Sequence, residues 1–485
     1  MDALSASLGI PLSTFKLLGT IILAYPVALV YRTFYLNPTE AKGEVQRNLY
    51  VITTGLALSL FFSGKDIIHS LITVTFTWTA CKLLEKQRAL AVAICFLFNM
   101  IYLLGGYYSN SLETYDITWT MPQCILCLRM IGLSWDFYDG RHESTSKVEQ
   151  NPPKDKEPDS TPRSPTVKQP SNTPASFIDA ALPTLPPYLE VLGYSYFFGA
   201  FLIGPQFSFS LYKRFLNLQP QPKDNHSLPD GAYTRTLRCI GVGVFYLALQ
   251  QLIGSHYPML FTTTTKYAQL PFLDKFIYMW IAGKFGTGVL CGISFNGYDE
   301  AGNPRWDCLA NVDIYKYETA TSLTQIIESF NMNTSIWSKL YVFKRLKFMG
   351  NKNLSTFFTL LFLAIWHGVH AGYFLCFATE FIDVIGERIG AQLLAPYVQW
   401  MYVSNSRSTK AALCRQAHKL FTWFLTTSAL HYAVVPLELL LMRETLVAWS
   451  HVYFFGTFAI FGLIALGSVK SQLVKRERSA IKKIN

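Results

Sequence analysis

The sequence is poor in charged residues. They make up 15% of its 485 positions, against 51% for hydrophobic residues, whereas a soluble domain carries about 25% charged residues. The mean hydropathy is +0.23, and several apolar runs reach the length of about 20 residues that crosses a bilayer. This composition excludes an ordinary soluble domain and predicts an integral membrane protein.

The sequence also lacks the residue patterns of zinc sites, of di-iron sites and of serine nucleophiles. Cys124 and Cys127 form a C-x-x-C, but the second pair that a zinc ribbon needs does not follow. The nine histidines include no adjacent pair, which disfavours the paired histidine boxes of membrane di-iron enzymes. No G-x-S-x-G segment is present, so a covalent acyl-enzyme is also disfavoured. The sequence therefore predicts no metal site and no covalent intermediate.

The net charge of +11 does not indicate a nucleic-acid partner. The basic residues lie mostly between and after the apolar runs, where they set membrane topology and meet anionic headgroups. The start, MDALSASLGIPLSTFK, has neither a basic region nor a small-residue cleavage site before the first apolar run. We therefore expect no cleaved signal peptide.

The last four residues, Lys482-Lys483-Ile484-Asn485, match the dilysine signal that retrieves membrane proteins to the endoplasmic reticulum. The alternative is a plain basic tail after the last span. The retrieval signal is read from the cytosol, which agrees with the positive-inside rule. The sequence thus predicts a multi-pass protein of the endoplasmic reticulum membrane with a cytosolic C-terminus.

The apolar runs predict an all-α polytopic membrane protein with about eleven transmembrane helices, plus interfacial or re-entrant helices that enclose a cavity. An odd number of spans with a cytosolic C-terminus places the N-terminus in the lumen. The predicted spans are 15–33, 48–65, 66–83, 87–107, 119–134, 191–211, 236–260, 273–293, 354–382, 419–440 and 447–469.

Polar segments divide the chain into four parts. Residues 1–140 hold the N-terminal transmembrane helices, 141–175 are a mobile polar loop, 176–470 are a membrane core, and 471–485 are the cytosolic tail. The loop is rich in Pro, Ser, Lys and Asp and has too few large apolar side chains to fold.

Residues 294–350 are too polar to span a membrane and too aromatic to be a linker. The apolar residues in their second half follow helical spacing and predict an amphipathic helix at the interface or in a protein-lined cavity. These residues are Leu323, Ile327, Phe330, Trp337 and Tyr341.

Two histidines in the apolar stretch LFLAIWHGVHAGYFLCF, His367 and His370, indicate a site, because a titratable side chain at membrane depth is expensive. Three interpretations compete. The histidines could be structural residues with hydrogen bonds to a neighbouring helix, metal ligands, or a general base, which needs a neutral imidazole in a dry pocket. A single helix would place them about 60° apart, so only one would point at a reacting group.

The segment WHGVHAGYFLCF, W-H-G-x-x-x-G-Y-x-x-x-F, resembles a motif of the membrane-bound O-acyltransferases, in particular the lysophospholipid acyltransferases. SFNMNTSIWSKLYVFKRLKF is similar to a second block of that family and places Asn331 at its catalytic Asn, 36 residues before His367. SWDFYDG and FLIGPQFSFSLYKRF resemble two further blocks. The resemblance covers residues from about 130 to 440.

The resemblance implies the membrane-bound O-acyltransferase fold. It also implies transfer of a long-chain, polyunsaturated acyl group from CoA to the free hydroxyl of lysophosphatidylcholine and related lysophospholipids, in phospholipid remodelling. His367 would be the general base, and Asn331 would stabilise the developing negative charge or orient the hydroxyl. Gly368 and Gly372 would permit a close approach of backbone or substrate. Acyl-CoA would be a co-substrate, and no cofactor is expected.

Further residues are candidates for substrate binding. The basic ones follow Asn331 on the same predicted helix and could meet the CoA phosphates, although a headgroup-facing edge explains them equally well. The aromatic ones could form the walls of an acyl slot or plain core, and His370 could make a structural hydrogen bond. The candidates are Trp135, Asp136, Trp337, Lys339, Lys344, Arg345, Lys347, Trp366, His370, Tyr373, Phe374 and Phe377.

Two alternatives stay open at the level of sequence. The acceptor could be a sterol, a diacylglycerol or a protein, or the chain could be a transporter that uses Asp383, Glu387 or Glu438 as ion sites. The expected partners are acyl-CoA, lysophospholipid and membrane lipids, and a homo-oligomer is left open.

The composition of the polar loop generates a first prediction. Deleting residues 145–172 removes no predicted core, so the midpoint of thermal unfolding in detergent should stay unchanged. Activity at equal expression should also be retained. A loss of more than about half the activity would mean that the segment folds over the site.

Overall fold

In the computed structural model of the chain, all regular secondary structure among the described residues is helical. These residues are 11–36, 42–110, 117–148, 177, 179–217, 232–286, 311–403 and 409–484. No β-strand occurs among them, so the predicted all-α class is confirmed. A helix bonds its backbone within one segment, which suits an apolar chain in a membrane where no water is available.

The described residues divide into two compact units, whose boundary lies after Thr236. Residues up to this boundary form the first unit. Its helices are α1 (Leu12–Tyr35), α2 (Glu44–Ser63), α3 (Ile67–Leu83), α4 (Arg88–Ser109), α5 (Thr120–Val148), α6 (Tyr188–Ser195) and α7 (Phe209–Leu216), and α8 (Ala232–Leu252) crosses the boundary.

The described residues after Thr236 form the second unit, in which α15 packs along α14, α16 and α18. A 3-10 helix, Phe343–Met349, joins α13 to α14. The helices are α9 (Thr265–Ala268), α10 (Phe272–Gly286), α11 (Ile314–Glu318), α12 (Leu323–Ser329), α13 (Met332–Tyr341), α14 (Lys352–His367), α15 (Ala371–Val403), α16 (Thr409–Leu439), α17 (Met442–His451) and α18 (Phe455–Ile484).

The described part of the chain contains six helical stretches that are long and apolar enough to cross a membrane. The chain is thus a membrane protein with several apolar helices, and the predicted number of eleven is not confirmed. The six stretches are Leu12–Tyr35, Glu44–Leu83, Glu85–Ser109, Thr236–Thr263, Thr409–Leu439 and Phe455–Leu473.

Several predicted spans are not continuous helices. The run 191–211 is divided between α6 and α7, with irregular backbone between them. The run 447–469 is divided between α17 and α18 at Tyr453 and Phe454, whose φ angles are 56° and 51°. Hydropathy detects apolar side chains, but it does not detect the residue at which the backbone leaves the helical conformation.

The irregular segment between α6 and α7 is mostly buried, and Arg129 of α5 donates hydrogen bonds to backbone carbonyl groups in and beside it. The guanidinium is 1% exposed and packs over the ring of Phe207 at 4.8 Å. It donates to the carbonyl oxygens of Tyr194, Ser195 and Pro205 at 3.3, 3.2 and 3.3 Å, and to that of Ala200. The G-P block of the sequence, Gly204-Pro205 with a cis peptide bond, is thus a turn held by α5.

The predicted polar loop and tail are only partly described. Helix α5 continues to Val148, inside the predicted loop 141–175, and most of the rest of that loop lies outside the described residues. Helix α18 continues to Ile484, so residues 471–484 are helical. The division of the chain into the four parts 1–140, 141–175, 176–470 and 471–485 stays a prediction.

The buried position of Arg129 generates a stability prediction. Arg129→Met would leave several buried carbonyl groups without a donor, and each such loss costs about 1–3 kcal/mol. We expect the midpoint of thermal unfolding in detergent to fall by about 5 °C or more. Arg443→Met, at an exposed arginine, is the matched control and should leave the midpoint unchanged. Equal midpoints for both variants would contradict the role of Arg129.

Candidate functional site

His367 is the last residue of α14. The helix ends there because Gly368 adopts φ 146° and ψ −168°, a region that is essentially restricted to glycine. The N–H of Gly368 still donates to the carbonyl oxygen of Ala364 at 3.3 Å, and α15 begins at Ala371. The prediction of one continuous span over 354–382 is therefore wrong, because the helix breaks immediately after His367.

The break also separates the two histidines. The carbonyl oxygen of His370 accepts the N–H of Tyr373 at 3.1 Å, so His370 is tied to the first turn of α15, just before that helix begins. The expectation that His367 and His370 lie on one helix is therefore wrong. His367 projects from the end of one helix, and His370 precedes the beginning of the next.

Gly372 allows α15 to dock on the C-terminal end of α16. Its N–H donates to the carbonyl oxygen of Leu440 at 2.7 Å. A Cβ atom at this position would lie 2.1 Å from the carbonyl oxygen of Pro436. The predicted close backbone approach at Gly372 is confirmed, and it fixes the chain four residues after the break.

The imidazole of His367 lies among three aromatic rings. The ring centroids of Trp366, Phe377 and Tyr373 are 4.7, 5.3 and 5.6 Å from its own. Trp366 and Tyr373 are buried. The imidazole forms no hydrogen bond with any other residue that the structure describes, so no described residue occupies its ring nitrogens.

The other residues predicted around this ring differ in exposure. His370 is half-buried, and its ring centroid is 6.1 Å from that of Tyr373. Phe374 is 39% exposed and thus lies on a more open face of α15 than Tyr373. The structure therefore brings Trp366, Tyr373 and Phe377 together at His367.

Asn331 lies between two short helices. It adopts the left-handed conformation with φ 47° and ψ 45°, which asparagine tolerates better than most residues. The N–H of Met332 donates to the carbonyl oxygen of Asn311 at 2.9 Å, and the N–H of Asp313 donates to that of Ser329 at 2.8 Å. The amphipathic helix predicted over 323–341 is therefore broken at Asn331, between α12 and α13.

Helices α13 and α14 place Asn331 and His367 at corresponding ends. The Phe343–Met349 3-10 helix connects the end of α13 to the start of α14, so both residues lie at the ends remote from this connector. Trp337 is buried and stacks on Phe362 with 5.8 Å between ring centroids. This contact holds the two helices against each other.

The basic residues predicted to bind phosphates do not share one helix with each other. Lys339 is in α13, whereas Lys344, Arg345 and Lys347 lie in the 3-10 helix, so the expectation of a single helix is wrong. The three lysines are exposed, and Arg345 is half-buried.

Trp135 and Asp136 lie in α5 of the first unit. Asp136 is 2% exposed, and its carbonyl oxygen accepts the N–H of Leu182 at 2.8 Å. Trp135 is half-buried, with its ring edge-on to that of Tyr138 at 5.7 Å. The hydrogen bond of Asp136 joins α5 to the segment that precedes α6.

Two polar contacts, one at each end of α12, have no signal in the sequence. Glu387 Oε1 accepts the N–H of Leu323 at 2.9 Å, which ties α15 to the first residue of α12. The transporter interpretation had assigned Glu387 to an ion path. Asn311 contacts the Asn331 turn through both its backbone and its side chain. Residues far apart in sequence make both contacts, so no spacing rule predicts them.

Comparisons with known proteins agree with the predicted family. The sequence profile of MBOAT, the membrane-bound O-acyltransferase family, matches residues 104–434. Lysophospholipid acyltransferase 5 of Homo sapiens is 36% identical over 411 residues, which cover 81% of this chain and 77% of that protein. The protein of that name in Drosophila melanogaster is 33% identical over 84% of this chain and 78% of its own length.

A fungal relative extends the similarity over nearly the whole chain. Lysophospholipid acyltransferase of Schizosaccharomyces pombe is 27% identical over 98% of this chain and 91% of its own length. The family match includes the Asn331 turn and the break after His367. The chain belongs to the membrane-bound O-acyltransferase family.

Proposed function

We propose that the chain transfers a long-chain acyl group from acyl-CoA to the free hydroxyl of a lysophospholipid, with His367 as the general base. The observation that carries the proposal is the break at Gly368, which leaves the His367 imidazole at a helix end, among aromatic rings and without a hydrogen-bond partner in the described part of the chain. The lysophospholipid acceptor follows from the names of the relatives.

The hydroxyl needs a base because it is a poor nucleophile at neutral pH. A ring nitrogen of His367 takes the hydroxyl proton while the oxygen attacks the thioester carbonyl, and a positioned base contributes about 10²–10⁴-fold. The tetrahedral intermediate then expels the CoA thiolate, which receives the proton from the imidazolium. The products are the phospholipid ester and free CoA, with no acyl-enzyme and no cofactor.

Asn331 is proposed to stabilise the negative charge on the carbonyl oxygen during this attack. An amide NH₂ group donates at any pH because it does not titrate. Loss of one such donor costs about 10²–10³-fold in kcat. The left-handed conformation of Asn331 sets the side chain at a fixed turn between α12 and α13.

The donor side of the site is proposed from charge and apolar surface. Lys339, Lys344 and Lys347 are exposed and suit the CoA phosphates, with Arg345 beside them. Trp366, Tyr373 and Phe377 suit the wall of the acyl slot at the reacting end. The chain preference proposed is for polyunsaturated acyl groups, and a panel of acyl-CoA donors with a thiol-release readout tests it.

We also propose the endoplasmic reticulum membrane as the location, with the C-terminus in the cytosol, where acyl-CoA is made. The basic residues near the C-terminus and the Lys482-Lys483 pair support this orientation. Phospholipid remodelling in that membrane is the proposed role.

The two histidines give the sharpest activity prediction. His367→Ala should lower kcat by about 100-fold or more with little change in KM, because the base acts mainly in the transition state. Asn331→Gly should behave similarly. It removes the amide but keeps the left-handed conformation unstrained, which alanine would not. Acyl transfer to lysophosphatidylcholine by purified, monodisperse protein is the measurement.

His370→Ala is the matched control for the His367 variant. His370 lies three residues away on the other side of the break and is half-buried. Its replacement by alanine should therefore lower the midpoint of thermal unfolding before it lowers turnover. If His367→Ala keeps more than about a tenth of wild-type turnover while His370→Ala abolishes it, the two roles are reversed. If both variants stay active, the general-base mechanism is wrong.

The orientation is tested by protease protection on sealed microsomes. A C-terminal tag should be digested without detergent, because the tail lies outside the vesicle. Lys482→Ser with Lys483→Ser should release part of the protein from the endoplasmic reticulum at unchanged specific activity. A protected tag would contradict both the orientation and the retrieval signal.

A further inference from the structure

Asn311 contacts the turn that carries Asn331 through both its backbone and its side chain. Its carbonyl oxygen accepts the N–H of Met332 at 2.9 Å. Its side-chain Oδ1 accepts the N–H of Asn333 at 3.2 Å. Its Nδ2 donates to Oδ1 of Asn331 at 3.2 Å. The Asn311 side chain thus links the backbone N–H of Asn333 to the side-chain amide of Asn331.

We infer that Asn311 is a positioning residue that fixes the rotation of the Asn331 amide, so that its NH₂ group, and not its carbonyl oxygen, faces the reacting thioester. This inference rests on the proposed role of Asn331. It adds the residue that gives the amide its direction.

The direction follows from a chain of hydrogen-bond polarity that begins at the backbone. The N–H of Asn333 can only donate, so the atom of Asn311 that faces it is the oxygen Oδ1. The other end of that amide is then the NH₂ group, which can only donate. The atom of Asn331 that faces it must therefore be an acceptor, Oδ1, and the NH₂ group of Asn331 is left for a ligand.

This direction matters because the two ends of an amide act oppositely on an oxyanion. An NH₂ group donates to the developing negative charge, whereas a carbonyl oxygen repels it. The two orientations of an amide have almost the same shape, so packing alone does not choose between them. The hydrogen bond from Asn311 supplies the choice.

Asn311→Asp separates direction from structure. The introduced carboxylate has the size of the amide and still accepts the N–H of Asn333, but it no longer donates to Asn331. The Asn331 amide should then turn its NH₂ group toward the carboxylate and present its oxygen to the substrate. We expect kcat to fall about 100-fold, KM for both substrates to change less than about threefold, and the unfolding midpoint to stay within about 2 °C.

Asn351→Asp is the matched control. Asn351 Oδ1 caps α14 by accepting the N–H groups of Asn353 and Leu354 at 2.9 and 3.2 Å. A carboxylate retains both contacts, so turnover should be unchanged. Asn311→Ser, a neutral variant whose shorter side chain does not reach Asn331, should lose about tenfold in kcat and decides the question if Asn311→Asp does not fold.

A double-mutant cycle distinguishes direction from the effect of the added charge. In an Asn331→Gly background, Asn311→Asp should lower kcat by less than a further threefold or so, because the amide through which it acts is gone. A loss that persists in that background, or full activity of Asn311→Asp alone, would overturn the inference while leaving Asn331 as the donor. Wild-type turnover in Asn331→Gly itself would overturn the role of Asn331 and the inference together.

Discussion

A backbone that leaves the helical conformation inside an apolar bundle must find new partners for its polar groups, because lipid supplies none. The chain solves this at three places. Arg129 donates to the carbonyl groups of the segment between α6 and α7. Asn311 holds the turn between α12 and α13. The backbone that follows Gly368 is fixed where Gly372 donates to Leu440.

Two of these three places carry the proposed chemistry. A helix interior bonds its own backbone groups, whereas a helix end leaves backbone groups that neighbouring residues must satisfy. His367 gains such an end from the φ angle of Gly368, and Asn331 gains one from its own left-handed conformation. Reliable orientation at these ends requires rigid support, and buried contacts such as Trp337 on Phe362 provide it. The proposed catalytic arrangement therefore depends on broken helices.

Composition and motifs were enough to predict the class of fold, the family and part of the candidate site. The helical class, the family and the gathering of aromatic residues near His367 follow from apolar runs and from W-H-G and its neighbours. The number of spans is not confirmed, and the continuity of 191–211, 323–341 and 354–382 was wrong, because apolarity does not report a residue such as Gly368 that departs from helical φ and ψ. The contacts of Arg129, Asn311 and Glu387 join residues distant in sequence, and only the folded chain brings these groups together.

The central claim is that the His367 imidazole takes the proton of the acceptor hydroxyl. A cryo-electron microscopy structure of the full chain with lysophosphatidylcholine and a CoA analogue whose thioester is replaced by a ketone tests it most directly. If His367 is the base, the hydroxyl oxygen should lie about 3 Å from one of its ring nitrogens, and the ketone oxygen should accept from the NH₂ group of Asn331. A hydroxyl that instead lies within hydrogen-bond distance of another titratable side chain, with His367 out of reach, would show that His367 is not the base.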